Sequence, residues 1–383
     1  MKTPYYASIQ FWITLISVLM TGCQESLPDP EYQRNERLQA ILDQTLTEYH
    51  GKGVSAAIVF DEQEIWTGSS GISYGSTELS TDMALCIGSV TKTYMAALCI
   101  KLAEEGWFSL DDSLHHWLSD FKNVDNSITI KQLLQNTSGV YNVTDHPDLW
   151  EAVFEDPAKL WTPEEVLSEF LEVPYGEPGT GWHYSNTNYL LLGMIIRTAV
   201  GSESADLLRD RFLKPLGLDQ TYFAVQEELP PNTAHGWFNL SGKGAEDISL
   251  IPNDGIYSVL WTAGAIFATP ENLARWCSSL FHGSVLNNES LDLMLETYCA
   301  YPGTTDVECA MGLFRFGPGN STGMEMMGYT GRSFGYLTSM FFLPGNGMSI
   351  AVIINEDNTE LLDEVTTALI LQVLEIGENR SKI

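Results

Sequence analysis

Ser89 and Lys92 stand three residues apart in Ser89-Val90-Thr91-Lys92, within a stretch that is otherwise largely apolar. On a helix, that spacing puts both side chains on one face. A serine hydroxyl is a poor nucleophile until a neighbouring base takes its proton. A lysine held among apolar residues loses its own proton more easily than one in water, so it can be that base. Gly88-Ser89 would lie at the helix start, where free N–H groups favour a developing oxyanion. Tyr184-Ser185-Asn186 precedes a second apolar stretch. Tyr184 can exchange protons with the serine if Lys92 lowers its pKa, and Asn186 can hydrogen-bond both Lys92 and a substrate carbonyl. Tyr329-Thr330-Gly331 comes last, followed by Arg332. Gly331 would let substrate approach the backbone, and the Arg332 N–H would complete an oxyanion hole with that of Ser89.

Each motif alone has an ordinary explanation. Ser-x-x-Lys arises by chance in chains of this length. Tyr184-Ser185-Asn186 could be a helix cap, with Ser185 or Asn186 satisfying free N–H groups. Tyr329-Thr330-Gly331 could be a strand-end turn. Gly71-Ile72-Ser73-Tyr74-Gly75 offers a rival nucleophile, because it fits the G-x-S-x-G elbow of another hydrolase fold. That elbow needs a helix after its serine. Residues 76–82 are polar without a helical period, so the segment reads as a strand-end turn.

The elements that must position these residues follow from periodicity. Residues 31–50 repeat at helical spacing and stop at Gly51 and Gly53. Residues 54–60 and 64–68 read as strands around an Asp61-Glu62-Gln63 turn. A nearly all-apolar helix is expected from Gly88 to Glu105, and a second over 188–200, closed by Gly201. Shorter helices are expected at 205–213 and 270–280, the last with Pro270 in its first turn, and residues 130–134 lead into Asn136-Thr137-Ser138-Gly139 in a middle third that is helical and loop-rich. Residues 335–342 and 348–354 read as strands around Pro344-Gly345-Asn346-Gly347, and 361–376 as a closing helix. Strands therefore cluster at both ends and helices fill the middle. The simplest packing is α+β: a sheet from about 31–80 and 310–383, with a largely helical insert over about 89–300. Loops 144–156 and 247–261 would shape a pocket, and Trp150, Trp161, Trp182, Trp237 and Trp261 are candidates to line it or to fill the core.

Nineteen basic against 50 acidic residues give a formal charge of -31. Without a basic run, a nucleic-acid-binding surface is excluded. Lys2, an apolar run from Phe11 to Met20 and Thr21-Gly22-Cys23 have the order of a secretory signal over 1–22. Met20-Thr21-Gly22-Cys23 resembles a bacterial lipobox. It implies a lipid on the Cys23 thiol, a linker over 23–30, and a membrane-anchored protein of the bacterial envelope, facing the periplasm or exterior. An exported chain can form disulfides. Cys299 and Cys309 flank a loop-like stretch and are the best pair, whereas Cys86 and Cys99 sit among apolar residues as core side chains. No Cys/His spacing indicates a metal, and no cofactor is expected.

The order of the three motifs resembles that of the serine β-lactamase and D-alanyl-D-alanine carboxypeptidase superfamily, in its class C and esterase-like branch. Leu133-Leu134-Gln135-Asn136-Thr137-Ser138-Gly139-Val140 resembles its L-L-x-H-T-S-G-L segment. Tyr184 to Gly193 resembles Y-S-N-x-x-Y-x-L-L-G, and Lys214-Pro215-Leu216-Gly217-Leu218 and Ala263-Gly264 with Thr269-Pro270-Glu271-Asn272-Leu273-Ala274 also fit. The resemblance runs from about residue 31 to 371. It implies an antiparallel sheet flanked by helices, acylation of Ser89, proton handling by Lys92 and Tyr184, and substrate contacts from Asn186, Tyr329, Thr330, Gly331 and Arg332. The family usually has Lys or His at Tyr329, where a basic group helps bind a substrate carboxylate; Arg332 could supply that charge from another direction. Asn136 replaces a common His and is given no catalytic role. The expected activity is hydrolysis of an ester, amide or peptide, closer to carboxypeptidase or esterase than to an efficient β-lactamase. The alternative is a non-hydrolytic envelope lipoprotein that binds penicillin or peptidoglycan fragments.

Overall fold

The structure is a computed structural model and describes residues 30–61 and 64–380. The signal segment, Cys23 and its lipidation, and all but the last residue of the linker lie outside the described residues. Helix α1 spans Pro30–Glu48. Strands β1 (Gly53–Val59), β2 (Ile65–Tyr74) and β3 (Thr77–Glu78) follow. The later strands are β4 (Cys299–Ala300), β5 (Val307–Ala310), β6 (Leu313–Phe316), β7 (Met326–Ser333), β8 (Tyr336–Leu343) and β9 (Met348–Ile354). Together they form one antiparallel sheet in the order β3-β2-β1-β9-β8-β7-β6-β5-β4. The two ends of the chain meet at its centre, where Val54 of β1 lies opposite Ile354 of β9. The architecture is the α+β fold expected, with helices between the two groups of strands.

Strand β1 shows why the sheet is covered on both faces. Val54, Ala56 and Ile58 point to one side, and Ala57 and Val59 to the other, all buried. On the first side, α1 and the closing helix α6 (Thr359–Arg380) pack against each other and the sheet. On the second lie α2 (Thr91–Glu104), α3 (Asn186–Val200), α4 (Asp254–Gly264) and α5 (Pro270–Phe281). Helix α2 is buried on nearly every face, as its composition requires, and so is Lys92 in its first turn. Helix α3 ends where expected: Gly201, at φ +74°, donates its N–H to the Arg197 carbonyl. Two segments expected to be loops are largely helical instead, at Leu149–Glu155 and in α4. Their buried apolar residues, Leu149 and Val153 in one and Ile256, Val259 and Leu260 in the other, recur at helical spacing.

Candidate active site

Ser89 sits in a single 3-10 turn, Gly88–Val90, that leads into α2. Gly88 has φ +51°, and a Cβ there would come within 2.7 Å of the Arg332 backbone nitrogen. A Cβ on Gly331 would come within 2.0 Å of the Ile87 carbonyl oxygen. Both glycines are required, because β7 crosses the turn at backbone contact distance. The turn is pinned from behind by the Ile87 N–H to the Ile266 carbonyl (2.9 Å) and the Ile266 N–H to Thr91 Oγ1 (3.1 Å). Ser89 is left partly exposed on an otherwise buried segment.

Lys92 lies beneath it, fully buried. Its Nζ is 3.2 Å from Ser89 Oγ, 2.7 Å from Asn186 Oδ1 and 2.6 Å from the Ala263 carbonyl oxygen. No carboxylate is among these partners, and burial pulls its pKa well below that of an ordinary lysine. A neutral amine has two N–H groups and one lone pair. The two carbonyl oxygens take the N–H groups, which aims the lone pair at the Ser89 hydroxyl. The geometry is that of a base poised on its nucleophile.

Tyr184 stands on the other side of Ser89, with Oη 2.7 Å from Oγ. The expectation that Lys92 would lower its pKa is not met: burial pushes it up to about 12. Tyr184 is therefore a neutral phenol, able to donate its proton. Its position is set by segment 136–144. The Asn136 carbonyl accepts from the His183 N–H (2.9 Å), and Asn136 Oδ1 accepts from the Ser185 N–H (3.2 Å) and Asn188 Nδ2 (2.8 Å). Ser185 occupies the N-cap position of α3 but caps nothing, since its hydroxyl donates to the Tyr141 carbonyl. The capping explanation of Tyr184-Ser185-Asn186 is thereby removed. Asn186 has its N–H bound by Asn142 Oδ1 (2.9 Å) and its Nδ2 bound by Thr144 Oγ1 (2.8 Å). Thr144 Oγ1 in turn donates to Asn142 Oδ1 (3.0 Å). These bonds turn Asn186 Oδ1 toward Lys92. Asn142 and Thr144 are positioning residues that sequence reasoning passed over, and Asn136, noted there only as replacing a common His, is a third. The signal available was Asn142, Thr144 and Asp145, three polar residues within four that begin two residues beyond Thr137-Ser138-Gly139.

Tyr329-Thr330-Gly331 is inside β7, not in a turn before a strand. Strand β6 pairs with β7 only as far as Gly328, so the edge beyond is open toward Ser89. Ser333 and Tyr336 close a two-residue hairpin as a hydrogen-bonded pair. By alternation, the Arg332 N–H points away from β8 to that open edge, beside Ser89. A donor there could act with the Ser89 N–H on a substrate oxygen. Tyr329 is buried, and burial keeps it neutral. The Arg332 side chain does not take over the missing charge near the nucleophile. It extends outward, exposed, and its Nη2 bonds Asp357 Oδ2 at 2.6 Å.

Around these groups is a cleft of about 820 Å³. Trp150 and Phe238 pack on Phe334 at one end, with ring centroids 4.8 and 5.1 Å away. At the other end Phe314 packs on Tyr329 (4.8 Å) and Tyr301 (5.5 Å). Of the five tryptophans considered, Trp150 lines the cleft and Trp182 backs it, its ring tilted against Tyr301 at 4.9 Å. Trp161 and Trp261 are core, and Trp237 donates to the Ser73 carbonyl away from the cleft.

Two other expectations resolve differently. Cys299 and Cys309 do stand opposite each other on β4 and β5, but both are free thiols and no disulfide is formed. Burial raises both pKa values and keeps the thiols protonated, the form that does not attack. Ser73 ends β2 with no helix after it, as expected of a strand end. His235 and Asp247 lie close by, but Ser73 Oγ accepts the His235 backbone N–H (3.0 Å), and Ser73 is wholly buried. That serine is structural. Among the described residues, no group of three or more His, Cys, Asp or Glu could hold a metal.

The chain matches the model of the Beta-lactamase family over residues 38–375. It is similar in structure to the D-amino acid amidase of Ochrobactrum anthropi SV3, with TM-score 0.78 and 25% identity, covering 91% of this chain and 99% of that one. A D-stereospecific amidohydrolase from Streptomyces sp. aligns with TM-score 0.75 and 27% identity, over 87% of this chain and 98% of its own. Penicillin-binding protein 4* of Bacillus subtilis is 31% identical over 162 residues, 41% of this chain and 34% of the relative. The chain spans about a third to a half of the curated relatives it matches first. The match over residues 38–375 takes in Ser89, Lys92, Tyr184 and Arg332, and by it the chain belongs to the beta-lactamase family.

Proposed function

We propose that the protein is a serine hydrolase that cleaves an ester, amide or peptide through an acyl-enzyme at Ser89. One observation carries this reading: Ser89 Oγ lies 3.2 Å from the Nζ of Lys92, whose pKa burial lowers, and 2.7 Å from the hydroxyl of Tyr184, which burial keeps protonated. Lys92 takes the Oγ proton as Oγ attacks the substrate carbonyl carbon. The N–H groups of Ser89 and Arg332 hold the oxyanion. As the tetrahedral intermediate collapses, Tyr184 gives its phenol proton to the leaving group. Ammonium and phenolate then stand side by side, each stabilising the other. Water loses a proton to the Tyr184 phenolate and attacks the acyl carbon, and Ser89 Oγ departs with the Lys92 proton. Both residues return to their starting states.

The two amidases of similar structure support an amide as a natural target. Within the reaction class, carboxypeptidase-like or esterase-like turnover fits better than efficient β-lactam hydrolysis, because Tyr329 gives the cleft no cation beside Ser89. The hydrolase domain is the segment 31–383, held at the envelope membrane by a lipid on Cys23; no helix among the described residues is long and apolar enough to cross a membrane. Mass spectrometry of the N-terminal peptide from the native host tests the anchor. An unmodified Cys23 would remove it. Hydrolysis of a short-chain nitrophenyl ester, wild type beside Ser89→Ala, tests the chemistry. Activity is expected to vanish in the variant, and equal activity in both would overturn the assignment of the nucleophile.

A further inference from the structure

Strand β7 runs along the cleft, and Ser89 faces it at Gly331. Tyr329 lies two residues to one side of that point, and Phe334 three to the other. The scissile bond must therefore sit between two aromatic ends. The leaving group takes its proton from Tyr184, whose ring lies 6.4 Å from Trp182, and Trp182 lies against Tyr301 (4.9 Å) and Phe314 (6.4 Å), the ring that packs on Tyr329. The leaving group thus points toward Tyr329, Phe314 and Tyr301, and the acyl part toward Phe334, Trp150 and Phe238.

The charges along the cleft are the second observation. Asp145 and Asp363 line it, and Arg332 is its one cation among the described lining residues. Asp145 is held in place by Asn142 Nδ2 (2.9 Å) and the Tyr175 hydroxyl (3.0 Å). Arg332 is matched by Asp357, which bonds its guanidinium at the surface and sits just before α6. With Arg332 neutralised, the lining is net negative, on a protein whose whole charge is -31. Such a field repels anions and draws cations.

We infer that the substrate bears no carboxylate near the scissile bond and carries an aromatic or bulky apolar group on each side of it, and that Asp357 sets this preference by occupying Arg332. This rests on the Ser89 acyl-enzyme reading and names its substrate class. Neutral or cationic aryl amides and esters fit. Substrates that present a free carboxylate beside the leaving group do not.

Three esters test it with the full-length protein: phenyl phenylacetate, its 3-carboxyphenyl counterpart, and phenyl acetate. A meta carboxylate changes the leaving phenol's acidity little, so a rate difference reports recognition. In wild type, kcat/KM for the carboxylated ester is expected to be lower by about tenfold at low salt, with the gap narrowing as salt screens it. Phenylacetate is expected to exceed acetate by about tenfold to a hundredfold, the worth of one filled apolar subsite. Asp357→Asn should raise the carboxylated-to-plain ratio by about threefold or more, because it frees the guanidinium. A general structural role for Asp357 would lower both rates and leave the ratio alone. Equal or faster turnover of the carboxylated ester by wild type overturns the substrate class. A ratio unmoved by Asp357→Asn overturns the role of Asp357. Failure of the underlying reading has a separate signature: Ser89→Ala would hydrolyse all three esters as well as wild type.

Discussion

The floor of the cleft and its rim are built by different rules. On the floor, Lys92, Tyr184 and Asn186 are held by short hydrogen bonds to atoms that are themselves held, such as Thr144 Oγ1, Asn142 Oδ1 and the Ala263 carbonyl. At the rim, contacts are ring against ring, and the one ion pair, Arg332 with Asp357, is exposed on its cationic side. Hydrogen bonds fix direction, and ring contacts fix only distance and area. The floor is thus suited to proton transfer, which needs aligned donors and acceptors. The rim is suited to discrimination, which tolerates looser fit.

Substitutions can break this contrast or sharpen it. Ser89→Ala should cost the most, a loss of about 10⁴-fold or more in kcat with the fold intact by circular dichroism. Tyr184→Phe should follow, lowering kcat by about 10²–10⁴-fold while the acyl-enzyme becomes detectable by mass spectrometry. Thr144→Val leaves Asn186 Nδ2 without its acceptor, and a loss of about tenfold, mainly in kcat, is expected. An effect only on KM would place Thr144 with the rim instead. Trp150→Ala should be smallest, about 1–3 kcal/mol in kcat/KM and confined to substrates with a bulky acyl group. A uniform loss across substrates would show that the ring supports the floor.

The pH profile separates the two regions as well. Lys92 must be neutral to act, and burial lowers its pKa, so kcat/KM should rise with pH and level off well below the ordinary lysine pKa of about 10.4. Tyr184 must keep its proton in the free enzyme. With its pKa pushed up to about 12, it should cause no alkaline fall below pH 11. An acid limb that persists in Tyr184→Phe assigns it to Lys92; one that disappears would reassign it. Trp150→Ala should leave the whole profile in place.

The same contrast governs what the sequence reveals. Ser89, Lys92 and Tyr184 are legible because their chemistry needs particular residue types at helix starts, where spacing and flanking glycine leave a mark. Gly88 and Gly331 stand out for a related reason, since no side chain fits where the turn and β7 touch. The sheet was legible from strand clusters at both ends. The rim was not. Phe238, Tyr301, Phe314 and Phe334 come from separate segments and share no period, so nothing local marks them as one surface. Arg332 was legible as a cation but not as a spent one, because Asp357 reaches it from the connection between β9 and α6. The pKa of Tyr184 was misjudged for a similar reason: proximity to Lys92 could be inferred, whereas the burial that outweighs it depends on the packed fold.

The pairing of β1 with β9 has a consequence in time as well as space. Ser89 is made early in synthesis and Arg332 late, and the sheet cannot close until β9 has been added beside β1. A partly made chain therefore carries the serine without the second oxyanion donor or the strand that presses on its turn. Such long-range pairing also makes folding slow, because a large loop must close before any contact rewards it. On the mechanism proposed above, the nucleophile is armed last, by the tail of the polypeptide, and a chain cut short before β7 is expected to be chemically silent however well its helices had formed.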